Sequence, residues 1–264
     1  SQIIETIPVL TAQDFETINS NLYGNFVLES DIDLATYTNL TQSFVNATFT
    51  GNLSGQGFTI SGLAINSPSP AGIIGLFKTL NGSNIENVIL EAFNITAGDI
   101  GNRYGALAAE VIGPNTRVKN IIVTNSTIDA TSGGEAGALI GIVQGGSLEL
   151  ENITISAIVK GTRAIGGLIG YIDGDNVSYE VITGSNITIL NSNSDTAKGH
   201  IFGTIRITTE RPLVVHLTNI NVINGANLKL VDKTNGATFN YLAGTDTAGT
   251  DFSDVSIIAP YPAE

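Results

Sequence analysis

The chain has 264 residues, enough for one large all-β domain or two ordinary ones. An apolar fraction of 42% supports a sizeable core, while charged residues make up only 13% and the net charge is −13. That balance suits a solvent-exposed surface and argues against nucleic-acid binding, which requires clustered Lys and Arg; no apolar run approaches the ~18 residues of a membrane helix.

Position 1 is Ser and the chain contains no Met, so it is expected to begin at a processed end with any signal peptide removed. Cysteine is also absent, which removes disulfides and thiolate metal sites. The first element predicted is a helix in LTAQDFETINSNLYG. Thr11 is placed as N-cap, with Asp14 three residues on as a capping-box partner. Leu10 and Phe15 are spaced as a hydrophobic staple, and Gly24 as the stop. Phe15, Ile18 and Leu22 share one apolar face, suited to covering the end of a sheet stack. NFVLESDIDL then reads as the way into that stack.

From here the chain repeats. Short apolar runs with small residues recur as AGIIGLF, YGALAAEV, AGALIGIV, AIGGLIGYI and KGHIFGTI. Their last small residues, Gly75, Ala109, Gly141, Gly170 and Gly203, are 34, 32, 29 and 33 residues apart. A second series begins at Asn87, Asn120, Asn152, Asn186 and Asn219, with steps of 33, 32, 34 and 33. Two markers with one period imply a solenoid, propeller or array. The runs are rich in Ile, Val, Leu and Thr and are separated by Asn, Gly, Ser and Asp, which is strand-and-turn chemistry. No repeat has apolar residues at helical spacing, so helical repeats are excluded. Aromatic content of 6% with no Trp argues against propeller blades.

The expected fold is therefore all-β: a right-handed parallel β-helix with three short strands per coil of about 33 residues, handedness following the crossover preference. Equivalent strands would pair about 4.8 Å apart, and roughly six coils give a prism on the order of 30 Å long. Leu168 and its counterparts Ile73, Leu107, Leu139 and Ile201 are expected to form an inward ladder, with glycines allowing close approach beside it. Asn87, Asn120, Asn152, Asn186 and Asn219 are expected to form an amide ladder. NLKLVDKTNGATFNYLAG reads as a hairpin turning near Asn235-Gly236 and covering the last coil. As one domain, the chain divides into an N-terminal helical cap (1–35), coils (36–225) and a C-terminal β cap (226–264).

The segments GNFVLESDIDL and ATFTGNLSGQGFTISGLAI, followed by the Gly-Leu-apolar-Gly repeats, resemble the GLUG-repeat β-helical regions of large bacterial surface proteins. LFKTLNGSNIENVILEAFNIT is similar to the region ahead of the catalytic domain in streptococcal zinc metalloproteases that cleave immunoglobulin A. The resemblance covers about residues 10–210 and is most specific over residues 51–63. The repeats depart from it at Ala109 and at His200, where a small residue is usual. It implies a spacer, adhesive platform or accessory domain.

Chemistry-bearing motifs are sparse. The zinc helix of those proteases, His-Glu-x-x-His, is missing; the two histidines, His200 and His216, lie in other contexts. No Gly-x-Ser-x-Gly elbow occurs. A carbohydrate lyase or hydrolase needs convergent carboxylates or a calcium site, and the acidic stretches ESDIDL, DGDN and DTAGTDFSD do not recur in phase from coil to coil. Asp173 and Asp175 are the candidate calcium ligands; no other cofactor is implied. Thr48, Thr50 and Thr127 do not continue into the threonine column of an ice-binding face. Asn-x-Ser/Thr sequons make Asn39, Asn46, Asn52, Asn81, Asn94, Asn125 and Asn176 glycosylation candidates, while Asn152 and Asn186, also in sequons, are expected to be buried in the ladder and unmodified. The reading is a non-enzymatic module, extracellular or at the cell surface, acting as an adhesin or as a structural stalk or assembly segment. Its partners would be a host or neighbouring-cell glycan or protein, or copies of itself. The alternative is a pectin-lyase-like β-helix that cleaves or binds glycans.

Overall fold

In a computed structural model of the chain, the residues described are 5–67, 72–96, 98, 102–161, 163–173, 180–190, 201–206, 213–223, 229–231, 238–240 and 251–259. They form a β-solenoid built from parallel sheets, with a short helix near the N-terminus. One sheet stacks Val45–Phe49, Phe77–Leu80, Ala108–Val111, Ile140–Val143, Ile169–Asp173 and Phe202–Arg206 in chain order. The largest sheet stacks Thr6–Val9, Asn25–Leu28, Asn52–Ser54, Asn84–Glu91, Thr116–Ala130, Gly146–Gly161, Glu180–Leu190 and Leu213–Ile223. Each strand pairs with its equivalent one coil away, so Ile121 lies between Val88 and Ile153, and Ile187 between Ile153 and Ile220. These five are buried, as is the next inward column of Leu90, Val123, Ile155 and Ile189. The β-branched residues at alternate positions thus line a core that is continuous along the axis, each worth about 1.5–3 kcal/mol of burial. Each coil also carries strand ahead of its asparagine, in Val118, Leu150 and Leu217, so the chain pairs on both sides of that corner.

The glycine-rich runs form a layer of their own. Arg103–Tyr104, Glu135–Gly137 and Ile165–Gly166 make a short third sheet. It lies in backbone contact with the six-stranded sheet. A Cβ at Gly137 would sit 2.1 Å from Ile140 O, and one at Gly166 1.9 Å from Ile169 O. From the other side, a Cβ at Gly141 would meet Tyr104 N at 2.7 Å, and one at Gly170 would meet Ala136 N at 2.7 Å. In AIGGLIGYI, then, Ile165–Gly166 lies in one layer and Ile169–Asp173 in the other. Leu168, between them, fills the core. Ile142 and Tyr171, on the outer side of the six-stranded sheet, are buried with Ala164.

This register corrects the inward ladder. Phe77 pairs with Ala108 and Ile74 with Tyr104, so Leu107 stacks on Leu76 and not on Ile73. Leu76, Leu107, Leu139, Leu168 and Ile201 are all buried, while Ile73 is half-buried. Gly75 accordingly lies level with Gly105 rather than with Ala109. The alternation of small and apolar residues in AGIIGLF fits two alignments, and only backbone pairing separates them.

At the N-terminal end, α1 spans Ala12–Glu16 and continues as a 3-10 turn over Thr17–Ser20. Thr11 Oγ1 accepts from Asp14 N at 3.1 Å, and Asp14 Oδ2 accepts from Thr11 N at 3.1 Å, completing the capping box. Phe15 and Ile18 are buried and Leu22 packs beside the core. The staple does not form: the Leu10 side chain is 54% exposed, while its backbone N–H donates to Asp14 Oδ2. Nor does Gly24 end the helix, which closes at Asn21 with φ −148°. Phe15 meets Phe44 and Phe77, and Phe77 stacks on Phe49 at 4.9 Å, so aromatic rings close this end of the core. The edge strand Thr6–Val9 carries Pro8, which lacks an N–H to offer a further strand.

At the far end, Lys229–Val231 pairs antiparallel with Thr238–Asn240; the expected turn at Asn235-Gly236 lies outside the described residues. A strand not anticipated from sequence, Asp251–Ala259, adds antiparallel to Leu213–Ile223 and takes up part of the acidic stretch DTAGTDFSD. No helix among the described residues is long and apolar enough to cross a membrane.

Gly166→Ala is expected to lower stability by at least about 2 kcal/mol, because the new methyl meets backbone rather than a movable side chain. Gly72→Ala, where a Cβ has nothing within 4 Å, is expected to be neutral. Thermal unfolding followed by circular dichroism compares the two.

Tyr37 gives a pH signature. Its hydroxyl donates to Glu16 Oε2 at 2.5 Å, and that bond, with burial and the Glu16 charge, pushes its pKa from 10.0 up to about 12. A raised folded pKa means that protonated Tyr37 stabilises the cap fully below pH ~10, and that this contribution is lost as pH rises toward about 12. Tyr37→Phe is expected to remove that part of the decline, measured as the difference in urea midpoint across this window.

Candidate functional site

The most regular polar feature is the asparagine corner. Asn87, Asn120, Asn152, Asn186 and Asn219 all adopt the left-handed conformation, with φ between 52° and 58°. Asn tolerates this region because its short amide bonds locally, where branched residues clash. Asn120 Nδ2 donates to Asn87 Oδ1 at 2.6 Å, Asn152 to Asn120 at 2.9 Å, and Asn219 to Asn186 at 2.5 Å. In a separate column, in register with Asn84 rather than Asn87, Asn52 donates to Asn25. Asn152 and Asn186 were expected to be buried; both are exposed, because a left-handed corner turns the side chain onto the outer edge.

The glycosylation candidates divide by environment. Asn39, Asn94 and Asn125 are exposed; Asn46 and Asn81 are half-buried. Asn52 is exposed with its amide engaged by Asn25. Asn176 lies outside the described residues. So does Asp175, while Asp173 is buried at the end of its strand, in register with Arg206. Among the described residues no group of three His, Asp or Glu comes together as a metal site. His216 is exposed on Leu213–Ile223, and His200 lies outside the described residues.

The charged residues pair across coils. Arg117 Nε meets Glu149 Oε2 at 3.3 Å and Lys119 Nζ meets Glu151 Oε2 at 3.7 Å, each partner one coil apart. A denser cluster sits where the third sheet begins. Glu110 Oε1 accepts from Thr79 Oγ1 at 2.8 Å, and its Oε2 meets Arg103 Nη1 at 3.5 Å. Gln144, with its amide oriented by its hydrogen bonds, accepts from Arg103 Nη2 at 2.8 Å. Arg163 approaches Glu135, the register neighbour of Arg103, at 3.8 Å. Sequence spacing gave no sign of this cluster, since its members come from several coils and meet only through the register. The Arg103–Glu110 pair ties the third sheet to the six-stranded sheet.

With the coils and their polar columns in place, likeness to known proteins becomes specific. Residues 13–125 match the M26 IgA1-specific metallo-endopeptidase N-terminal region. This N-terminal region takes in the capping helix, the aromatic end of the core and the first rungs of the stack. The chain is also 34% identical over 145 residues to halomucin from Haloquadratum walsbyi, a match covering 51% of this chain and 1% of halomucin. Among solved structures, the crystal structure of a "putative immunoglobulin A1 protease" from Bacteroides ovatus superposes with a TM-score of 0.46 at 15% identity, over 93% of this chain and 82% of that one.

Asn120→Ala is expected to cost about 1–2 kcal/mol, combining a left-handed backbone penalty with lost amide bonds. Asn120→Gly keeps the backbone freedom and is expected to cost less. Urea unfolding midpoints of the two variants separate corner geometry from the ladder.

Proposed function

We propose that this chain is a non-catalytic surface module, placed outside the cell, that serves as a stiff stalk segment. The observation that carries this reading is the coil-to-coil pairing of the described strands, reinforced at one edge by the asparagine column. A stack in which each residue bonds its counterpart above and below resists bending and leaves little backbone open to proteases. The match to the region named N-terminal in a metallo-endopeptidase family supports a position beside other functional parts rather than at a reaction centre. The carboxylates of the central coils, Glu149 and Glu151, are each engaged by a cation one coil away, Arg117 and Lys119, as a surface ladder of ion pairs would be.

Two measurements test this. Antibodies to the chain are expected to label intact, unpermeabilised source cells; labelling only after permeabilisation would overturn the surface assignment. The purified chain with added zinc is expected to leave immunoglobulin A and acidic polysaccharides uncut; time-dependent cleavage of either would overturn the non-catalytic one.

A further inference from the structure

The asparagine ladder has a direction. Asn219 donates to Asn186, Asn152 to Asn120, and Asn120 to Asn87, each toward the N-terminal end. The column stops at Asn87, because the preceding coil turns its corner through Gln56 and Gly57, at φ 51° and 83°. Gly57 N–H donates to the Asn87 carbonyl at 2.7 Å and holds that corner against the end of the ladder. Asn87 Oδ1 is taken by Asn120, while no hydrogen bond engages Asn87 Nδ2 among the described residues. Two bonds run head to tail into Asn87, from Asn152 to Asn120 and from Asn120 to Asn87, and each polarises the next, which strengthens the terminal N–H as a donor.

Beside Asn87 lies a shallow, open groove of about 520 Å³. Asn87 and Asn120 line it, Ile89 and Ile122 form its apolar floor, and Gln56 and Gly57 make its lip. The floor is an exception on its face. The same outward column reads Thr59, Ile89, Ile122, Thr154, Thr188 and Asn221, so two isoleucines interrupt polar residues at the end of the ladder. Ile122 is 40% exposed. No charged residue lines the groove, although the chain carries a net charge of −13.

A ligand that satisfies this site is neutral. It brings one strong acceptor for Asn87, a methyl-sized apolar group beside that acceptor, and hydroxyls for a side-chain amide. We propose that the groove is a subsite for an acetamido sugar, an N-acetylhexosamine residue of a glycan. The acetamido oxygen accepts from Asn87 Nδ2, its methyl rests on Ile89 and Ile122, and Gln56 reaches the ring hydroxyls. A plain hexose offers neither the methyl nor the amide oxygen, and so leaves the donor and the apolar floor unmatched. The role goes beyond that of a stalk and is independent of it, since a stalk that binds nothing is still a stalk.

The test is saturation-transfer NMR on the whole 264-residue chain with methyl glycosides of N-acetylglucosamine, N-acetylgalactosamine, glucose and galactose, and with Nε-acetyl-lysine as a peptide-derived acetamide. The acetyl methyl of at least one N-acetylhexosamine is expected to take up the most saturation, with little transfer to the hexoses. Ile122→Glu, at an exposed position, and Asn87→Gly, which keeps the left-handed corner, are each expected to weaken binding at least about tenfold. Asn219→Gly, at the far end of the ladder, is expected to leave it within about twofold. Equal transfer to hexoses, preference for acetyl-lysine, no transfer to any acetamido sugar, or binding unchanged in both groove variants would each overturn the proposal.

Discussion

Coil-to-coil backbone pairing, at about 4.8 Å per step, is the constraint on which the rest of this molecule depends. It forces every side chain to lie against its counterparts above and below. Inside, branched aliphatic residues meet this demand, as in the column from Val88 to Ile220. Outside, a column of like charges would repel itself, so Arg117 stands against Glu149 and Lys119 against Glu151. The low charged fraction follows from the same rule. Asparagine suits a corner column because its amide can donate to one neighbour and accept from the other, and because it accepts positive φ.

The glycine layer solves a different problem. Where Arg103–Tyr104, Glu135–Gly137 and Ile165–Gly166 cover the six-stranded sheet, main chain lies on main chain. Packing at that distance has no room for Cβ atoms, so glycine here serves proximity rather than turning. The ion pairs of Arg103 with Glu110 and of Arg163 with Glu135 then hold the layer at its outer margin, where side chains again have room.

Much of this was legible in the sequence, for identifiable reasons. The 33-residue period showed in two markers at once, and the residue types around it admitted only strands and turns. The capping box at Thr11 and Asp14 was readable because its signal is local. What escaped was non-local. The choice of Leu76 over Ile73 rests on which of two spacings to Leu107, 31 or 34 residues, the backbone bonds select. Thr6–Val9 and Asp251–Ala259 carry no repeat marker and become strands because an adjacent edge offers them partners. The groove at the ladder's end escaped as well, since sequence shows where a column of asparagines starts but not which of its amides is left unspent.

The pairing between Thr116–Ala130 and Gly146–Gly161 contains one irregularity. Thr124 pairs with Ser156 and Ser126 with Ala157, so Asn125, at φ 48°, has no counterpart. On both sides of it the register continues undisturbed. A corner can therefore absorb an inserted residue while the straight segments remain aligned. Insertions and deletions at corners are then nearly silent, whereas the same change within a straight segment would turn the core face outward. Such a chain is free to vary in coil length and, by duplicating whole coils, in reach, with each new coil templated by the exposed edge of the one before it.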